Sequence, residues 1–139
     1  MAIKVFLDVN IFLDFFLKRK GFSQAENILK IAAENEIDAY TSSAVLQTVS
    51  FYLHKDRGSN LTKTLLLELL SFLKLIEADK TTVEKGLMSN FKDIEDAIHY
   101  FSALKAKMNY IITSDIKFQK SGMPILPILG AEKFIAEIL

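Results

Sequence analysis

Four aspartates stand where a divalent cation could be held. Asp8 ends the apolar run in "VFLDVN", Asp115 ends "YIITSD", and Asp93 and Asp96 open "DIEDAIHYFSALKAK". Carboxylates gathered without His or Cys suit hard ions such as Mg²⁺ or Mn²⁺. Clustered carboxylates repel one another, and a cation relieves the repulsion. A two-ion site of this kind activates water and stabilises the leaving oxygen of a phosphodiester. It also lets an anionic backbone approach an acidic pocket. Each acid has a plainer role as well. Asp8 with Asn10 suits a turn and a helix cap, Asp93 suits an N-cap, Asp96 complements a helix dipole, and Asp115 opens a loop. Singly, the plainer roles carry more weight. Jointly, at strand ends and a helix start, the four acids point to one shared site.

Other residues offer less. Glu95 is expected to face solvent beside Asp96. Asp14 precedes Lys18 by four residues, the spacing of a helix ion pair. His54 and His99 are too isolated to form a metal pair. No Gly-rich phosphate loop occurs, which argues against an ordinary ATP or dinucleotide site. The chain has no cysteine, which excludes a thiol nucleophile, a disulfide framework and cysteine-ligated zinc.

The elements that must position the acids can be read from periodicity. "IKVFL" is nearly all apolar and reads as a strand buried on both faces. "NIFLDFFLKRK" reads as a helix closed at Gly21, and the Ser23/Glu26 spacing predicts a second helix over Gln24–Glu36. "DAYTS" is a strand. Ser42 or Ser43 can cap a third helix through "AVLQTVSFYLHK", which Gly58 ends. "LTKTLLLELLSFL" is an amphipathic fourth helix, and "KLIEA" a third strand. "TTVEKGLMS" is helical but weakened by Gly86. Asp93–Lys107 is a helix with acids first and bases last. "YIITSD" is a strand, "PILPI" a short edge strand, and "AEKFIAEIL" a last helix. Strands alternating with helices imply a three-layer α/β/α domain on a mainly parallel sheet of four to five strands. Such sheets bind ligands beyond the carboxyl ends of their strands, where Asp8 and Asp115 fall.

At 139 residues the chain is expected to form a single domain spanning 1–139. Lysine plus arginine balances aspartate plus glutamate at seventeen each, which argues against tight nonspecific coating of nucleic acid. The amino terminus lacks the pattern of a signal peptide, and no apolar run is long enough to span a membrane. A cytoplasmic protein without a membrane partner is expected.

In the order and spacing of its motifs the chain resembles a PIN domain, the nuclease fold of VapC-type toxins. The resemblance rests on "VFLDVNIFLDFFLKR", "FKDIEDAIHYFSALKAKMNYIITSD" and "MPILP", and covers essentially the whole chain. It implies a metal-dependent endoribonuclease using Mg²⁺ or Mn²⁺. The substrate would be RNA, and the protein would be the toxin of a toxin–antitoxin pair with a cognate antitoxin as partner. By position, Asp8 matches the first acid of the family, Asp96 the acid opening the long helix, and Asp115 the last acid. Asn10 and Thr113 match supporting polar neighbours. One position departs. The family's S-S-x-x-x-x-E reads "SSAVLQT" here, which puts neutral Thr48, beside Gln47, where an acid usually stands. Asp93 is the candidate to supply the missing carboxylate. Without it, the alternative is a noncatalytic PIN-like module that binds RNA or protein. Lys18, Arg19 and Lys20 follow the first helix and could steer an RNA backbone or simply solvate a helix end. A phosphotransfer domain of receiver or haloacid-dehalogenase type fits less well, because the chain carries "DVN" rather than D-x-D. A homodimer is expected through helix one and the third or fourth helix, with Phe12, Phe15, Phe16, Phe51 and Tyr52 as the apolar surface.

Overall fold

The computed structural model describes residues 2–139. Five parallel strands form one sheet: β1 (Lys4–Leu7), β2 (Asp38–Thr41), β3 (Lys74–Leu75), β4 (Tyr110–Ile112) and β5 (Ile128–Leu129), in the order β3-β2-β1-β4-β5. Eight helices flank it: α1 (Val9–Phe16), α2 (Phe22–Ala33), α3 (Ser43–Arg57), α4 (Ser59–Leu70), α5 (Lys80–Met88), α6 (Ile94–Lys105), α7 (Ile116–Gln119) and α8 (Ala131–Glu137). The expected three-layer α/β/α arrangement is present. β1 lies in the middle because Val5, Phe6 and Leu7 are all fully buried; a strand with no polar face needs cover on both sides.

The strand order fixes where a site can form. From β1 the chain steps outward to β2 and β3, then returns to the other side of β1 for β4 and β5. The order reverses between β1 and β4, and a crevice opens beyond their carboxyl ends. Register holds the two ends level, with Leu7 opposite Ile112. Asp8 and Thr113 are therefore the first residues past the ladder on adjacent strands.

The helix bounds correct the reading from sequence at several points. α1 stops at Phe16, and Lys18 turns into the left-handed region at φ 50°. The expected Asp14–Lys18 ion pair is absent among the described residues, because Lys18 has left the helix. Asp14 is instead buried, with its carboxylate against Gly21, where a Cβ would lie 2.5 Å from Oδ2. α2 starts at Phe22 with Gly21 at its cap position, so Ser23 is already helical and forms no capping box. Ser42 does cap α3, accepting from the N–H of Val45 at 3.1 Å. Gly86 was expected to weaken α5. It serves packing instead: a Cβ there would lie 3.2 Å from the backbone nitrogen of Ile98 on α6.

Most of the apolar surface expected to pair with a second copy is covered within the chain. Phe12 and Phe16 are buried in the core, and Phe15 stacks on Phe22. The reason is that α1 packs against both α2 and α3. Phe51 and Tyr52 stay exposed, at 55% and 40%. Among the described residues no helix is long and apolar enough to cross a membrane.

Candidate active site

Asp8 begins as a sheet residue. Its N–H donates to the carbonyl of Ile112 at 3.0 Å, which continues the β1–β4 ladder one residue beyond β1. It occupies the cap position of α1, yet its side chain caps nothing. Oδ2 accepts from the hydroxyl of Thr113 at 2.8 Å, while Oδ1 is buried without a hydrogen-bond partner. At 2% exposure, an acid with a bare oxygen is costly unless a proton or cation completes it. Burial is the main cause that raises its carboxyl above the ordinary range, against smaller downward pulls from the Thr113 hydrogen bond and from His99. The helix-cap role therefore fails for Asp8.

Thr113 is fully buried and links two of the acids. Its oxygen donates to Asp8 and accepts from the N–H of Asp115 at 3.1 Å. Thr41 braces the far side of β1 by donating to the carbonyl of Leu7 at 3.0 Å. Asn10 is half-buried in the first turn of α1, two residues past Asp8.

The other acids keep their plainer roles. Asp93 caps α6, with Oδ1 accepting from the N–H of Asp96 at 2.9 Å. Asp115 caps α7, with Oδ1 accepting from Lys117 at 2.9 Å. Asp96 is half-buried, and its carboxyl is pushed up to about 7, first by burial and then by the charges of Asp8, Asp93, Asp115 and Glu95. That mutual repulsion is the electrostatic mark of acids brought together from three distant segments. A cleft of about 710 Å³ opens beside them, lined by Asp93, Asp96, Asp115, Phe91, Phe101 and Lys117.

These donors suit a hard divalent ion in kind: all are carboxylate oxygens, and one of them is buried and unpartnered. Among the described residues, however, no three His, Asp or Glu side chains stand close enough to hold an ion as they are. Asp93 and Asp115 are turned back onto their own helices by the caps they make.

Thr48 lies elsewhere. It lines a groove of about 510 Å³ between α3 and α6, with Gln47, Phe51, Tyr52, Glu95 and His99. Its hydroxyl is spent on the carbonyl of Ala44, 3.3 Å away on its own helix. Asp93 does not line this groove, and Thr48 does not line the cleft that holds Asp93. Lys18, Arg19 and Lys20 are exposed beyond the far end of α1, roughly 12 Å along the helix from Asp8. Arg19 sits over the ring of Tyr52, 5.9 Å from its centroid, and so borders the Thr48 groove.

Three features escaped the reading from sequence. His99 is buried, with its ring 5.4 Å from that of Phe6 on β1. Glu95 is exposed as expected, yet Oε1 stands 3.6 Å from His99 Nε2. The i,i+4 spacing of the two was the available signal. Glu77, past the end of β3, accepts from both the N–H and the hydroxyl of Ser43, at 2.8 and 2.6 Å, and so holds the start of α3. Nothing in the local pattern announces that contact, which spans 34 residues.

A parallel sheet between two layers of helices, with Asp8 and Asp115 just past the carboxyl ends of β1 and β4, has the architecture of a PIN-type domain. The chain belongs to the PIN domain family, whose model matches residues 4–117. It is 31% identical over 138 residues to Ribonuclease VapC1 of Aquifex aeolicus, an alignment covering 94% of this chain and 92% of that protein. Its fold is similar to that of Mycobacterium tuberculosis VapC20, a sarcin–ricin loop cleaving toxin, with a TM-score of 0.68 at 14% identity, covering 88% of this chain and 98% of that one. It is similar also to VapBC2 of Rickettsia felis, solved on a promoter DNA fragment, with a TM-score of 0.67 at 19% identity and coverages of 91% and 97%.

Proposed function

We propose that this protein is a metal-dependent endoribonuclease that hydrolyses RNA phosphodiester bonds, and the toxin of a toxin–antitoxin pair. The observation that carries the reading is the buried Asp8, whose Oδ1 has no partner, at the switch point of the sheet, with Asp93, Asp96 and Asp115 lining a cleft. The likeness to Ribonuclease VapC1 supports the substrate class. Asp8, Asp96 and Asp115 are the residues that would hold Mg²⁺ or Mn²⁺, with Asp93 in support. A divalent ion supplies charge neutralisation and Lewis acidity at a phosphodiester. The chain's own part is to hold the carboxylates apart and ready. Thr113 orients Asp8 and the backbone of Asp115 at once, and Asn10 offers a polar group two residues past Asp8. Lys18, Arg19 and Lys20 steer the RNA backbone along the α1/α3 edge.

The partners proposed are a cognate antitoxin protein and a second copy of the chain, in the cytoplasm. The antitoxin reading draws on the Rickettsia felis VapBC2 structure and on a toxin–antitoxin complex from Klebsiella pneumoniae, whose fold matches with a TM-score of 0.67. The test is cleavage of single-stranded and structured RNA by the purified protein with Mg²⁺ or Mn²⁺. Activity that is lost with chelator and lost in Asp8→Asn supports the reading.

One observation favours a second reading, a noncatalytic module that binds RNA or protein. Thr48 contributes no charge, and no three candidate ligands converge among the described residues. RNA binding without metal-dependent cleavage would select this alternative.

A further inference from the structure

The cleft that Asp93, Asp96 and Asp115 line also carries three lysines: Lys92 beside the α6 cap, and Lys117 and Lys120 on and just past α7. All three are exposed. Among the described residues none of them enters an ion pair, although three acids line the same cleft. Their charges are left for an anion from outside. Part of the cleft wall is aromatic. Phe91 and Phe101 line it, each half-buried, and meet edge to face with centroids 6.0 Å apart. Tyr100 backs both rings, at 5.1 and 5.7 Å. Its hydroxyl accepts from the N–H of Met123 at 3.0 Å and donates to the carbonyl of Leu126 at 2.8 Å. One buried side chain thus fixes both the aromatic corner and the loop after α7, so the shape is set before anything binds. Rings beside lysines are what single-stranded nucleic acid needs, since its bases seek a π-face and its phosphates seek cations. A duplex keeps its base faces stacked inside and would use the lysines alone.

We propose that this cleft binds an unpaired stretch of RNA next to the bond that is cut, with a base stacked in the corner of Phe91 and Phe101 and backbone phosphates held by Lys92, Lys117 and Lys120. The inference rests on the reading of the protein as a ribonuclease that cuts at the acids. It makes the strandedness of the substrate a property of the cleft. These residues position the RNA and take no part in breaking the bond. Lys18, Arg19 and Lys20 do not line this cleft, so their contribution is separate.

The test is fluorescence anisotropy of the full chain with a labelled single-stranded RNA and with the fully paired duplex of the same sequence, in chelator so that the RNA stays intact. The single strand is expected to bind about tenfold tighter or more. The double variant Lys117→Gln/Lys120→Gln should weaken it about tenfold and flatten the slope of log affinity against log salt by about 1.4. Lys30→Gln/Lys133→Gln removes the same charge from α2 and α8, outside the cleft, and should leave binding nearly unchanged. Equal losses in the two double variants overturn the proposal, as does a duplex bound as tightly as the single strand. No binding of the single strand by the parent overturns it too, since lysines and rings need no metal. Phe101→Leu keeps an apolar side chain, loses the aromatic face and should weaken the single strand about tenfold. The chain has no tryptophan, so Phe101→Trp supplies one fluorophore that a stacked base should quench. Emission unmoved by saturating RNA overturns the proposal. Cleavage with Mg²⁺ or Mn²⁺ separates the two levels. The lysine double variant should raise KM with kcat nearly unchanged. If the parent cleaves RNA while the lysine and Phe101→Leu variants bind and cleave like it, this inference alone fails. A parent that neither binds nor cleaves RNA removes both readings.

Discussion

At the scale of single residues, Asp8 and Thr113 make a unit whose parts can be separated. Asp8→Asn keeps a carbonyl oxygen to accept from Thr113 and removes a buried negative charge. RNA cleavage should therefore be lost while the melting temperature of the metal-free protein holds or rises, as a fluorogenic RNA assay and thermal denaturation would register. Thr113→Val keeps the volume and removes both hydrogen bonds of the hydroxyl, which leaves Asp8 Oδ2 and the N–H of Asp115 without it. It should cost about 1–3 kcal/mol in urea denaturation. Asp96 predicts a pH dependence. Its carboxyl sits near 7 in the fold against an ordinary 3.8, so between those values the folded chain binds more protons than the unfolded one. Stability of the metal-free protein should fall as pH rises through that window. Melting in chelator at pH 5 and pH 8 measures this, and Asp96→Asn should flatten the dependence. A melting temperature that rises toward pH 8 in chelator, with the same slope in the variant, would contradict the assignment.

At the scale of elements, α6 matters most, because it carries Asp96, Glu95 and His99 and is capped by Asp93. Its position depends on α5, and the two approach closely at Gly86. Alanine there would gain up to about 1 kcal/mol in helix propensity. Its Cβ would press on Ile98 N and Ala97 C at 3.2 and 3.3 Å, which are backbone atoms of a packed helix and yield little. Gly86→Ala should therefore be net destabilising, by roughly 1 kcal/mol. It should also weaken divalent-ion binding, since α6 must shift to make room. A variant more stable than the parent in urea denaturation would mean that α5 moves instead. α3 is held more firmly at its start, by the Ser42 cap and by Glu77, so the groove facing Thr48 has one anchored wall.

At the scale of the whole molecule, the surface left for a second copy is narrower than the sequence implied. α2 and α3 cover most of α1, and the exposed aromatics that remain are Phe51 and Tyr52 on α3, with Lys55 over Phe51 at 4.2 Å from the ring centroid. Sedimentation velocity should show a dimer whose population grows with concentration, and Phe51→Lys should shift it toward monomer. A concentration-independent monomer would count against self-association through α3.

The sequence by itself determined the class of fold. A wholly apolar β1, regular alternation of strands with helices, and acids at strand ends leave few arrangements other than a parallel sheet with its site at the carboxyl edge. It also singled out Asp8, Asp93, Asp96 and Asp115 and the odd neutrality of Thr48, because strand ends and helix starts are local signals. α7 was missed because a four-residue helix is too short to show a period. What only the tertiary structure decided is which of these residues share a surface. Asp93 and Thr48 line different pockets, a separation that no local pattern shows. His99 reads as an isolated histidine, yet the packing of α6 on β1 buries it beside Phe6. Long-range contacts such as Glu77 with Ser43 follow from the strand order, which periodicity constrains without fixing. Side-chain neighbours across a sheet are set by the summed packing of every element, and no single stretch of sequence encodes that sum.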